Sequence, residues 1–391
     1  MDFSRRLTSN SWVLPVCGIS ALLATVTFVA GILPETSSFT GITNHFTLSY
    51  EMNAAVWWSS LLFLIASLAA VDQAASSTGS TRIAWGMLAG LFAFCSLDEL
   101  GSLHERIGRL GWSPYLPFAI IVMLMLMYVF RTLLANRETR SSAWILLVGF
   151  ACLAFSPLME FVGDEFVLSP LLQVIRSTLE EGAELSAAIL FLFAPIRLRK
   201  APVKPHTLDA LLLTNGVVRA LPLLLAIGAA AHVVGTVYAA SFTTSGRWGD
   251  PSAWYPSMAF AALGLYAVRQ ALSTTAPQSA RYYLANAAAF VLASPAAIYL
   301  MSPRTSAWIP YVALGALLLF PLVAQLVYGL GVRSRQLWTR AVLALILFAS
   351  YGNDPLLFKL DTGIVVFGLC AIFLWLPPVI ATHAQPAAHH A

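Results

Sequence analysis

The sequence predicts an all-α, polytopic membrane helix bundle of about twelve transmembrane helices with both termini cytoplasmic. Three observations carry this expectation. Hydrophobic residues make up 59% of the chain and charged residues 10%, against about 25% charged in soluble domains. Mean hydropathy is +0.77, so the bilayer must solvate most of the exterior. The apolar residues also fall in long runs rather than in alternation, and in lipid only helices and closed barrels satisfy the backbone. Finally, the basic residues sort to one side when the runs are threaded back and forth.

A span needs about 20 apolar residues at ~1.5 Å rise each. The first run, 12–33, follows Arg5 and Arg6 and is longer than the apolar stretch of a signal peptide, so an uncleaved first helix is expected. Leu14-Pro15-Val16-Cys17 lacks the small residue that a lipoprotein site places before its cysteine, so Cys17 reads as a packing residue. Runs at 54–76, 83–104, 114–134, 142–162 and 170–196 complete a first half, residues 1–196. A basic, proline-containing stretch opening RLRKAPVKPH marks a cytoplasmic linker over 197–216. Runs at 217–240, 254–274, 282–301, 308–330, 338–352 and 361–381 make the second half, residues 217–391; the eleventh of the twelve is the shortest. No internal repeat relates the halves. The tail, with His383, His389 and His390, reads as solvated.

With this threading, 16 of the 22 Lys and Arg residues fall on the side of the N-terminus, which the positive-inside rule makes cytoplasmic. Most tryptophans, Trp12, Trp57, Trp85 and Trp144 among them, stand near span ends as an aromatic belt. A cell (inner) membrane, multi-pass location follows. The net charge of +4 is scattered over the chain, so no nucleic-acid partner is expected. Each of the four cysteines, Cys17, Cys95, Cys152 and Cys370, sits in an apolar run, which argues against a disulfide framework.

The acidic residues are not scattered. Nine of 18 are Asp98, Glu99, Glu105, Glu160, Asp164, Glu165, Glu180, Glu181 and Glu184, all toward the non-cytoplasmic ends of spans three, five and six. Counting from Arg82, Asp98 lies ~24 Å up its helix; counting back from Arg197, Glu184 lies ~20 Å in and Glu180 about 25 Å. The hydrocarbon layer is ~30 Å thick, so these groups reach its outer half, and Glu160 its outer surface. Charge at that depth must face the bundle interior or a watery cavity and find a partner. Helical spacing places Glu180 with Glu184, Glu160 with Asp164, and Asp98 with Glu105 on common faces. Ser169-Pro170 has the form of an N-cap followed by N1, and Pro157 is placed to kink span five.

The motifs are DE-x4-HE, from Asp98 to Glu105, and EE-x-x-E, from Glu180 to Glu184. Together they resemble uncharacterised bacterial multipass membrane proteins over residues 83–196. That resemblance implies that these residues form a unit and carries no known activity.

Carboxylates with imidazole are ligands for Zn, Fe or Mn, and helix bundles build metal sites from them. One reading is therefore a membrane-embedded, metal-dependent hydrolase or oxidoreductase. Asp98, His104, Glu105, Glu160, Glu180 and Glu184 would hold the divalent metal ion, with His232, Arg106 and Arg176 as possible additions. Glu99 and Glu181 would serve as catalytic bases, and a metal-bound water would reach a pKa near ~7. The substrate would be a lipid or an amphipathic small molecule. The alternative is a proton- or cation-coupled secondary transporter using the same carboxylates. The cluster's confinement to one half fits less well with a site between repeats.

Simpler roles stand beside each of these. Glu165, Asp164 and Glu105 suit solvated helix ends. His104 suits an interfacial helix cap as well as a ligand. His232 suits a hydrogen-bonded core histidine, and Arg176 an ion pair with Glu180 one turn on. Arg106 and Arg109 suit snorkelling to the interface as well as anion binding. Lys359 and Asp361 suit an ordinary outer turn.

Overall fold

The computed structural model describes residues 13–32, 54–101, 115–198, 251–274, 276–300, 309–331, 334–349 and 355–375, with isolated positions between 221 and 233. The linker at 199–216, the histidine tail and the N-terminal arginines lie outside these residues. Eleven helices are described: α1 Val13–Ile32, α2 Ala54–Ser76, α3 Gly79–Gly101, α4 Tyr115–Ala135, α5 Arg140–Glu165, α6 Pro170–Ile196, α7 Pro251–Ser273, α8 Pro277–Leu300, α9 Ile309–Val327, α10 Ser334–Ala349 and α11 Pro355–Trp375. Isolated helical positions between 221 and 233 fall within the expected seventh span. Among the described residues, four stretches are long and apolar enough to cross a membrane: Ala54–Ser76, Gly79–Leu100, Leu116–Ala135 and Arg140–Met159. The 27-residue α6 also has the length, but Arg176, Glu180, Glu181 and Glu184 interrupt its apolar run.

The helices begin where local chemistry lets them. α6, α7, α8 and α11 each open on a proline, whose missing N–H costs nothing at a first helical position. Ser169 takes extended backbone and its hydroxyl accepts from Leu172 N at 3.4 Å, as its N-cap position predicts. Between α2 and α3 the chain reverses within a few residues, and Gly79 supplies the left-handed φ of 56° that this needs. Arg82 Nε donates to the carbonyls of Ala74 and Ser77, at 3.3 and 3.0 Å, which closes that corner. Two expectations are corrected. Cys17 is exposed on α1 rather than packed. The last helix starts at Pro355, so Lys359 and Asp361 lie within it and not in a turn before it.

The helices fall into two compact units. The first contains α1–α6; the second takes in residues 220–242 and 255–391. In the first, α6 packs on α1, α2 and α5, and α2 packs on α3. Phe191 of α6 is the hub. It is fully buried, with Phe92 stacked at 4.7 Å, Phe150 at 4.5 Å and Phe63 at 6.1 Å between ring centres. Three other helices thus meet α6 at one side chain.

Apolar contact alone gains little between helices already in lipid, so close packing and interhelical hydrogen bonds must specify the bundle. The small residue that admits Phe191 is Gly149 of α5. A Cβ built there would stand 2.5 Å from the Phe191 ring. Gly149→Val is therefore expected to lower stability by about 1–3 kcal/mol through overpacking, read as a drop in the unfolding midpoint of the purified protein. Hydrogen bonds pin the same helices further along. The carbonyls of Ala194 and Pro195 are among the last of α6, which have no partner within the helix. Ser142 Oγ donates to the first at 2.9 Å and Gln73 Nε2 to the second at 3.0 Å. Ser67 Oγ donates to Ala89 O at 2.8 Å and ties α2 to α3.

α4 is held differently. It touches α3 and α5, with Phe118 against Phe94 and Phe130 against Phe150. Leu116, Ile121, Met123, Leu124 and Met127 are all exposed. In the second unit α8, α9, α10 and α11 pack in sequence. Phe373 of α11 meets the rings of Tyr266, Tyr282, Tyr283 and Phe290.

Candidate functional site

Four helices of the first unit carry polar side chains to one level. Counting from the corner at Arg82, Glu99 is ~25 Å along α3, and Ser59 is ~25 Å back from the end of α2. Ser156 is ~24 Å from Arg140 along α5, and Glu184 is ~18 Å from the end of α6. Antiparallel helices of similar length bring these positions together, and the side chains meet. Ser59 Oγ donates to Glu99 Oε2 at 2.7 Å. Ser156 Oγ donates to Glu184 Oε1 at 2.5 Å. Glu99 in turn interacts electrostatically with Glu184, Glu181 and Asp98. Cys95, one turn before Glu99, feels Asp98, Glu99 and Glu184.

Below this level the walls stay polar for one more turn. Ser60 Oγ donates to Ser96 O at 2.7 Å and lies 3.1 Å from Ser96 Oγ. Above it, Arg176 pairs with Glu180 at 3.3 Å, and both are partly exposed. Arg176 Nη1 also donates to Met159 O at 3.1 Å. Glu180 and Glu184 thus share the face of α6 turned to α5, as their spacing predicts. The ion pair is the simpler role expected of Arg176. It leaves Glu180 engaged by a cation at the rim, whereas Glu184 is engaged by a hydroxyl further in.

Asp98, Glu99, Glu181 and Glu184 are therefore gathered, with Glu180 beside them. His104, Glu105 and Arg106 lie outside the described residues, and so does the side chain of Glu160, although its backbone belongs to α5. Helix α5 runs on through Pro157. Among the described residues, no three His, Cys, Asp or Glu side chains are grouped so as to hold a metal ion. His232 belongs to the second unit. It is buried, 5.6 Å from the Tyr255 ring, and it fills the space left by the missing side chain of Gly363.

The residues that sequence reasoning missed are Ser59 and Ser156. Each is a hydroxyl in an apolar run, level with a carboxylate on a neighbouring helix. A serine of this kind has two choices, its own helix carbonyl or a partner across the interface. Ser59 has both within reach: its single hydroxyl proton can go to Glu99 Oε2 at 2.7 Å or to Val56 O at 3.0 Å.

Long apolar helices around a partly buried cluster of carboxylates and hydroxyls are the features of a membrane-embedded helical protein with an internal polar site. Residues 10–197 match the family model described as "Domain of unknown function (DUF8692)". The matched stretch runs from just before α1 to the end of α6 and takes in the whole acidic constellation. No curated protein and no solved structure gives a significant match.

Proposed function

We propose that the protein is a twelve-span inner-membrane protein with cytoplasmic termini, whose first half binds a proton or a cation at Glu99, Glu181 and Glu184. The site opens to the non-cytoplasmic side and serves proton- or cation-coupled transport of an amphipathic small molecule. One observation carries this reading: Glu99 and Glu184, on different helices, share one electrostatic environment, and each is held by a serine hydroxyl. Like charges so placed in a low-dielectric region repel strongly. A proton or a cation shared among them removes the repulsion, and carboxylates used in this way are the proton relays of membrane carriers. Arg176 and Glu180 form a charged rim through which such an ion reaches the cluster.

A second reading, a metal-dependent hydrolase or oxidoreductase, is favoured by the way α3 ends. Asp98 and Glu99 stand on its last turn, and the chain continues directly to His104 and Glu105. These four, with Glu184, would supply the carboxylate and imidazole donors that Zn, Fe or Mn takes. A metal bound there would activate water, with Glu181 placed to accept its proton.

One preparation tests both. Purified protein in lightly buffered detergent is titrated with Na+, K+, Ca2+, Mn2+ and Zn2+ while released protons are measured, and its metal content is determined. Proton release on cation binding, absent in the Glu99→Gln, Glu184→Gln double variant, is the expected result. Stoichiometric Zn, Fe or Mn in the isolated protein selects the enzyme reading. Neither proton release nor bound metal removes both.

A further inference from the structure

The second unit buries a charge of its own. Arg340 lies six residues into α10, ~9 Å from its start, and is 3% exposed. It points inward with Leu343, whose side chain occupies the space beside Gly368 of α11. The neighbouring positions Trp338, Val342 and Leu345 are exposed. Tyr282 of α8 engages the guanidinium through its hydroxyl. Around them stand Tyr283 and Phe373, and Phe373 also meets the ring of Tyr266. Arg269 interacts with Tyr266, so a second guanidinium stands by this tyrosine cluster.

Nε and Nη1 of Arg340 are buried without a hydrogen-bond partner among the described residues. Arginine does not shed its charge in proteins, and a buried charge demands a counter-charge. The second unit's own sequence offers none at this end. Its acidic residues are Asp354 and Asp361, and Asp361 precedes Phe373 on α11 by twelve residues, or ~18 Å.

We propose that Arg340 and Tyr282 bind a phosphate group at this end of the second unit, from a lipid headgroup or as free phosphate. Guanidinium is the side chain best matched to phosphate oxygens, and a phenol adds a further donor. The depth fits either source. With α10 taken as a span in the orientation proposed above, on which this inference rests, a residue ~9 Å from the helix start lies near the boundary between headgroups and hydrocarbon, within reach of the cytoplasmic leaflet and of the aqueous phase. The exposed Trp338, Leu337 and Leu345 on the outer faces of α10 offer acyl chains a surface beside the site.

The test uses the full-length protein in a phosphate-free maltoside detergent and reads its thermal midpoint. Phosphatidylglycerol is added in one arm and inorganic phosphate in the other. In the wild type, at least one arm is expected to raise the midpoint by about 2–4 °C. A response to the lipid alone assigns the headgroup, and a response to inorganic phosphate assigns the free anion. Arg340→Gln is expected to lose the response. If that variant does not fold, Tyr282→Phe, which keeps the guanidinium, is expected to need at least about threefold more ligand for the same shift. A wild type that responds in neither arm, or variants that respond as the wild type does, overturns the site.

Discussion

Phe191→Ala is expected to destabilise the first unit by about 3–5 kcal/mol, the largest effect on stability of any single side chain described. Its ring contacts rings from α2, α3 and α5, so truncation opens a cavity at a junction that no single helix can close by shifting. Transfer from water contributes less in a bilayer than in a soluble core. The loss of packing remains, and it is the larger force between membrane helices. The check is reversible unfolding of the purified protein in mixed micelles, with Phe191→Leu as the partial replacement. A loss below about 1 kcal/mol would show that the aromatic hub is incidental.

The second large effect falls on the carboxylates. Glu184→Ala removes the acceptor of the Ser156 hydroxyl and the first of the charges that act on Glu99. Ion binding at the cluster is expected to fall by more than tenfold while the fold persists, because the lost group is a source of repulsion in the empty site. Ser156→Ala is the finer probe. A hydrogen bond to a charged group is worth about 1.5–3 kcal/mol, so its loss is expected to weaken binding roughly tenfold or more, at 1.4 kcal/mol per decade. Both are read by cation-induced proton release. Equal affinity in Ser156→Ala and the wild type would mean that α5 takes no part in the site.

The sequence made the helices legible because hydropathy and helix length are local properties. The start and end of α6 follow from Ser169-Pro170 and from the end of an apolar run. The start of α11 did not, because Lys359 and Asp361 lower the hydropathy of its first turns and draw the expected start to 361. Pro355, a helix opener, was the better guide. The nearness of Asp98, Glu99, Glu181 and Glu184 was legible, since charge in lipid is costly wherever it faces; Glu105 and the side chains of Glu160, Asp164 and Glu165 lie outside the described residues. The pairing inside the set was not. Serine is neutral in composition, and only the arrangement of neighbouring helices shows that Ser59 meets Glu99 and Ser156 meets Glu184. Arg340 was hidden for a related reason. From sequence it reads as one more basic residue at a cytoplasmic span end, and nothing local shows that it turns inward.

The loose seating of α4 has a consequence for handling the protein. A helix that offers most of its surface to acyl chains takes its tilt from bilayer thickness as much as from its neighbours. Short-chain lipids would lean α4 over against its neighbours α3 and α5, and α5 presents Ser156 to Glu184. Lipid chain length is thus an experimental variable for the carboxylate site. Affinities from short-chain detergents and from native-length bilayers belong on separate scales.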